Sequence, residues 1–228
     1  MTPAQIKAWK GAAMRGDAEA QFYLGNMYAD GGGVRKNARE AVKWYLKSAK
    51  QNYIDAQYNL GKMYDTGNGV IRNTVEAVKW YRKAAAQGHL SAQYNLGVSY
   101  AEGEGVQQNA NQALKWYRKA ATQGHIKAQY NLAVAYAEGK VKNFIQATYW
   151  FRKAAKQGHA KAQNWLGNIY AGGEGISRNI AQARRWYQSA AEQGDTDARF
   201  NLKKLHPRRS MKRSSIRSIT PSTGHVAG

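Results

Sequence analysis

The chain has 228 residues, with 35 Lys and Arg against 14 Asp and Glu, a formal charge of +21 and no cysteine. The lack of cysteine excludes a disulfide framework, a thiolate nucleophile and a cysteine-ligated metal, and the three prolines, at positions 3, 207 and 221, leave the long middle of the chain free to be helical. The charge favours anionic partners, whether acidic proteins, nucleic acid or lipid headgroups, and excludes none of the three.

The first ten residues show no basic segment followed by an apolar stretch, and no run approaching 18 apolar residues occurs later. The expectation is a cytoplasmic protein without a membrane span. From residue 20 onward one segment returns at a fixed interval. Ala20-Gln21-Phe22-Tyr23-Leu24-Gly25 recurs as Ala56-Gln57-Tyr58-Asn59-Leu60-Gly61 and again as Ala92-Gln93-Tyr94-Asn95-Leu96-Gly97, 36 residues apart each time. Further copies are Ala128-Gln129-Tyr130-Asn131-Leu132-Ala133, then, after 34 residues, Ala162-Gln163-Asn164-Trp165-Leu166-Gly167, and last Ala198-Arg199-Phe200-Asn201-Leu202. Such self-similarity is the signature of stacked repeats.

Ala56, Leu60 and Tyr64 lie at i, i+4 and i+8, a helical stripe, with Gly61 beside it where a neighbouring backbone can approach closely. This is helix A. A second segment keeps the same beat: Trp44-Tyr45, Trp80-Tyr81, Trp116-Tyr117, Trp150-Phe151 and Trp186-Tyr187. Ala77, Tyr81, Ala84 and Gly88 form its stripe. Asn37, Asn73, Asn109, Asn143 and Asn179 sit where N-caps belong, and Gln-Gly pairs such as Gln87-Gly88 mark the stop. This is helix B. Between the two, Gly67-x-Gly69 and Gly103-x-Gly105 read as a turn. The fourth copy loses two residues here, where Glu102 to Asn109 becomes Glu138-Gly139-Lys140-Val141-Lys142-Asn143, and loops absorb such changes.

No single helix pair has enough apolar surface to stand alone, so the array shares one continuous core. Residues 1–16 read as an N-terminal capping half repeat, 17–194 as five full repeats, 195–205 as a capping helix, and 206–228 as a disordered basic tail.

The segments Ala-Gln-Tyr-Asn-Leu-Gly-x-x-Tyr, Gly-x-Gly-Val-x-x-Asn and Ala-x-x-Trp-Tyr-x-Lys-Ala-Ala-x-Gln-Gly together resemble the Sel1-like repeat, over roughly residues 3–205. The resemblance implies an all-α, right-handed superhelical solenoid like that of tetratricopeptide repeats, with helix A on the concave side and a scaffold or adaptor role. Bacterial members of that family include secreted, periplasmic and host-interacting proteins. The departures are Asn164-Trp165 in the fifth copy and the short fourth corner.

With Ala56, Leu60 and Tyr64 turned inward, Tyr58 and Lys62 fall on the opposite side, flanked by Asn59. If helix A lines the concave side, as the resemblance implies, the groove carries Tyr58, Asn59, Lys62, Tyr94, Asn95, Tyr130, Asn131 and Trp165. Aromatic rings and amides there suit an extended peptide; the same rings also suit packing between adjacent helices. His89, His125 and His159 precede successive helices A. They are too far apart for one zinc ion, since two helix packings of about 8–10 Å separate equivalent residues, and a helix-start or packing role fits them. Helix B carries a basic stripe that includes Lys79, Lys83, Lys115 and Lys119; with Arg208, Arg209, Lys212 and Arg213 of the tail it forms an alternative anion-binding surface for nucleic acid. The segment 203–217 also suits an anionic membrane. No P-loop, dinucleotide glycine pattern, metal-spaced histidine pair or nucleophile elbow occurs, so neither catalysis nor a cofactor is expected. The expected partner is a protein or peptide, acidic in view of the charge.

Overall fold

In a computed structural model, residues 2–139 and 142–205 are described, and among them the chain is all helical. Twelve helices follow in order: α1 (Pro3–Met14), α2 (Ala18–Asp30), α3 (Ala38–Lys50), α4 (Ile54–Thr66), α5 (Thr74–Ala86) and α6 (Leu90–Glu102), then α7 (Ala110–Thr122), α8 (Ile126–Glu138), α9 (Phe144–Lys156), α10 (Ala160–Gly172), α11 (Ile180–Glu192) and α12 (Thr196–Lys204). Each helix packs against its neighbours in sequence, so the odd and even helices form two layers of a right-handed solenoid. None of the described helices is long and apolar enough to cross a membrane.

Local chemistry explains the boundaries. Asn37, Asn73, Asn109, Asn143 and Asn179 each accept a backbone N–H of the first turn of an odd helix through the side chain, satisfying a donor that the helix leaves open. Helices α3, α5, α7, α9 and α11 end at a glutamine followed by a left-handed residue, Asn52 (φ 64°) after α3 and Gly88, Gly124, Gly158 and Gly194 after the others, whereas α1 ends at Arg15 before Gly16. The even helices α2, α4, α6 and α10 stop on left-handed glycines, whereas Gly139, after α8, is extended at φ −63°.

The core runs between the layers. Ala56, Leu60, Ala77, Tyr81 and Ala84 are all buried, and their counterparts repeat along the stack. Alanine at these positions lets helices approach closely, and tyrosine or phenylalanine fills the remaining width. Gly61 departs from the expectation of a close backbone: a Cβ there would lie 2.7 Å from the Tyr81 ring, with the Ala77 carbonyl oxygen next at 3.4 Å. Gly25, Gly97 and Gly167 meet Tyr45, Tyr117 and Tyr187 in the same way. The glycine makes room for a ring, because the tyrosine must pass the even helix to bring its hydroxyl to the far side.

Glutamine ties the repeats together. Gln57 is fully buried; its Nε2 donates to Ala49 O of the preceding odd helix, and its Oε1 accepts from Gln87 Nε2 at 2.8 Å. Gln93 with Gln123, Gln129 with Gln157, and Gln163 with Gln193 repeat the bond. A buried amide is stable only when its donors and acceptors are met, and here each pair closes the loop between one odd helix and the next.

Candidate partner-binding groove

The outer face of the even helices is organised by aromatic rings and the residues that start each helix. Tyr58 stacks on His89 with ring centroids 4.3 Å apart; Tyr94 on His125 and Tyr130 on His159 do so at 4.5 Å. Each of these histidines also caps its helix, with Nδ1 accepting the backbone N–H of Ala92, Ala128 or Ala162 at 3.1–3.2 Å. Histidine thus does both things expected of it, starting a helix and packing. The cap needs an unprotonated Nδ1, and burial lowers all three pKa values below 6.5. Lys127 lowers His125 further, Lys161 and Lys127 lower His159, and Asp55, 3.4 Å from His89 Nε2, opposes the shift there.

A second row comes from the odd helices. The Tyr45 hydroxyl donates to Asn26 Oδ1 at 2.7 Å, and Asn59 Nδ2 donates to the same oxygen at 3.3 Å. Tyr81 donates to Asp65, and Tyr187 to Asn168. The amides of Asn59, Asn95 and Asn131 lie within hydrogen-bonding reach of the hydroxyls of Tyr45, Tyr81 and Tyr117. Burial pushes Tyr45 and Tyr117 up to about 12 and Tyr81 higher still, so these phenols stay neutral donors. The asparagines therefore bridge adjacent repeats as well as edging the face.

Across these rows runs a trough of about 580 Å³, lined by Tyr58, Tyr94 and Asn95 together with Leu90, Ser91, His125, Ile126, Lys127 and His159. It brings residues of α4, α6 and α8 and the histidine that caps α10 to one surface. Tyr58, Tyr94 and Asn95 are the sequence candidates that line it. Lys62 Nζ sits 5.7 Å from the centroid of the Tyr58 ring. Asn59, Tyr130, Asn131 and Trp165 are partly buried on the same helix faces outside the trough. Trp165 stacks on Phe151 at 5.2 Å and 10°, with Tyr130 in hydrogen-bonding reach of its indole. Sequence reading missed Ser91, Ile126, Lys127 and the histidine walls; their signal is their place in the first turn of each even helix.

On the odd helices, Lys79 pairs with Glu76, while Lys83 and Lys119 lie over Trp80 and Trp116 at 4.3 and 4.6 Å. Lys115 is exposed. Three exposed arginines of the odd helices reach the next even helix: Arg82 and Arg152 donate to the hydroxyls of Tyr100 and Tyr170 at 3.0 and 2.8 Å, and Arg118 to that of Tyr136. Arg208, Arg209, Lys212 and Arg213 lie outside the described residues.

Comparison with known proteins identifies the repeat. The family described as Sel1 repeat matches residues 18–53, 54–89, 90–125, 126–159 and 160–195. A Sel1 repeat protein from Oxalobacter formigenes is 39% identical with a TM-score of 0.74, over 90% of this chain and 79% of its own. A protective antigen of uropathogenic Escherichia coli with an SLR fold is 36% identical with a TM-score of 0.84, over 88% of this chain. A sel1-like repeat-containing protein of Acanthamoeba polyphaga mimivirus is 51% identical over 41 residues, 18% of this chain. The chain spans 44% of the E. coli antigen and 7% of the viral relative.

Proposed function

The chain belongs to the Sel1 repeat family, whose members generally act as protein–protein interaction scaffolds, and we propose that it is an adaptor holding an extended segment of a partner protein along the concave face of the even helices. The observation that carries this reading is the trough of about 580 Å³ that crosses successive repeats. An extended chain advances about 3.3 Å per residue and can lie across several helices spaced about 8–10 Å apart, meeting one ring and one amide per repeat. Tyr58 and Tyr94 supply contact area that is already ordered by their histidine partners, so little side-chain entropy is lost on binding. Lys62 and Lys127 give the partner segment its acidic bias.

The test is a crosslinking pull-down from source-cell extract, with and without nuclease, using the full chain, a chain ending at Leu205, and full-length Ser91→Trp. Ser91 lines the trough, so tryptophan there obstructs it while leaving the stacked rings in place. A protein captured despite nuclease and tail removal, and lost with Ser91→Trp at unchanged helicity, supports the groove. Capture unaffected by Ser91→Trp places the partner elsewhere. Capture abolished by nuclease transfers the role to nucleic acid, bound through Lys79, Lys83, Lys115 and Lys119 and the basic tail, with a steep salt dependence.

A further inference from the structure

The second residue of each even helix follows one rim of the groove. Ser91 and Lys127 line the trough, and Asp55 lies 3.4 Å from Nε2 of His89, whose ring stacks on the trough residue Tyr58. In chain order this position holds Glu19, Asp55, Ser91, Lys127, Lys161 and Asp197. The rim is therefore acidic over α2 and α4, uncharged at Ser91 of α6, and basic over α8 and α10, before Asp195 and Asp197 close it at the terminal helix. Neighbouring rings feel both signs. After burial, Glu19, Tyr23, Asp55 and Asp17 raise the pKa of Tyr53, and after burial Lys161 and Lys127 lower that of His159. Lys62, the cation of α4, stands seven residues from Asp55, about two helical turns away from this rim.

Helix stability accounts for half of the pattern. The first turn of a helix carries partial positive charge and favours anions, so Glu19 and Asp55 suit their places, whereas Lys127 and Lys161 oppose theirs. Both lysines are exposed, and among the described residues neither forms an ion pair. Between the two charged stretches the trough offers Tyr58, Leu90, Tyr94 and Ile126, a largely apolar floor.

We propose that the groove takes its partner segment in one fixed sense, with a basic stretch against Glu19 and Asp55, an apolar stretch over Tyr58, Leu90, Tyr94 and Ile126, and an acidic stretch against Lys127 and Lys161. This rests on the groove reading above and adds the order of charges. Asp55 and Lys127 are two even helices apart, so at about 8–10 Å per helix and about 3.3 Å per extended residue the apolar stretch is about five or six residues long. The chain's own residues 206–228 contain no Asp or Glu and match the acidic end alone. Nucleic acid matches the basic end and would set its phosphates against Glu19 and Asp55.

Fluorescence polarisation tests the order with two fluorescein-labelled peptides of identical composition. One has a run of Lys, six apolar residues and a run of Glu; the other has Lys and Glu interleaved at both ends. The full chain should bind the block peptide at least about tenfold more tightly than the interleaved one. Lys127→Glu with Lys161→Glu should remove that preference, as should Glu19→Lys with Asp55→Lys, each at unchanged helicity, and all four substitutions together should restore it with the peptide turned round. A benzoylphenylalanine at the Glu end should crosslink to α8 or α10 of the unsubstituted chain and to α2 or α4 of the fourfold variant; the first crosslink depends on no variant's folding. Absence of binding, equal affinity for the two peptides, a preference that survives both paired substitutions, or a Glu end crosslinked to α2 or α4 of the unsubstituted chain overturns the proposal. Full-length Ser91→Trp separates it from the groove reading. If the peptides bind equally and Ser91→Trp abolishes both, the groove stands and the order of charges falls; if Ser91→Trp leaves the block peptide's affinity unchanged, the groove reading falls and the proposal with it.

Discussion

The second and third repeats and the fourth solve the same packing problem in two ways. In the former, Gly61 and Gly97 admit the rings of Tyr81 and Tyr117, whose hydroxyls reach the amides of Asn95 and Asn131. In the fourth, Ala133 stands in place of glycine, Phe151 in place of tyrosine and Trp165 in place of asparagine. The added methyl takes space that the tyrosine ring uses elsewhere, and Phe151 turns: it meets Tyr130 at 57°, where Tyr81 and Tyr117 meet Tyr58 and Tyr94 at 36° and 35°. A hydroxyl on the turned ring would lose its amide, and Trp165 instead stacks flat on it at 10°. The three differences form one unit. A polar, hydrogen-bonded junction has become an apolar, stacked one without disturbing the glutamine pair or the histidine cap beside it.

The strongest way to break this comparison is to empty the apolar junction. Phe151 is fully buried, and Phe151→Ala should cost about 3–5 kcal/mol, measured by urea unfolding; a loss below about 1 kcal/mol would mean that the Phe151–Trp165 stack does not hold the fourth and fifth repeats together. Gly97→Ala comes next. Its Cβ would fall 2.6 Å from the Tyr117 ring, an overpacking cost of about 1–3 kcal/mol. Adding Tyr117→Phe and Asn131→Trp should recover part of that loss by copying the fourth junction. If the triple variant is no better than the single, glycine and ring are not coupled as described.

The histidine caps are common to both kinds of junction and set a pH dependence. The folded protein holds His89, His125 and His159 below 6.5 through burial, so below that pH the unfolded chain binds more protons than the folded one. Stability is then fully present above pH 6.5 and falls as the pH drops through the folded values. Melting temperature measured from pH 7.5 to 5 should decline, and His89→Asn, His125→Asn and His159→Asn combined should flatten the decline, because asparagine caps without titrating. An unchanged slope would remove the caps as its source. The smallest effect belongs to Asn52, which holds φ 64° where other junctions have glycine; Asn52→Gly should stabilise by under about 1 kcal/mol, read as a small rise in melting temperature.

Helix existence, phase and ends were legible because they depend on residues close in sequence. Ala56, Leu60 and Tyr64 mark a face, Asn73 marks a start and Gly88 a stop. The groove was legible as a face and not as a surface. Tyr58, Tyr94 and Asn95 were readable as outward, but the wall that His125, Ile126 and Lys127 add to it comes from the start of the next repeat. The basic stripe was readable as lysines; that Arg82 and Arg118 bond the next even helix was not, because Tyr100 and Tyr136 lie 18 residues further on.

The sequence by itself determined a repeat of 36 residues with one copy of 34, two helices per repeat, their caps, and an aromatic position on the open face of helix A. These follow from periodicity and local hydrogen bonding, which act within a few residues. Only the stacked structure decided what each residue meets across repeats: a ring against Gly61, Gln87 on Gln57 30 residues away, and His89 on Tyr58. Those contacts depend on how far and at what angle each helix pair is displaced from the last, a quantity set by side-chain volumes at all the packed positions together.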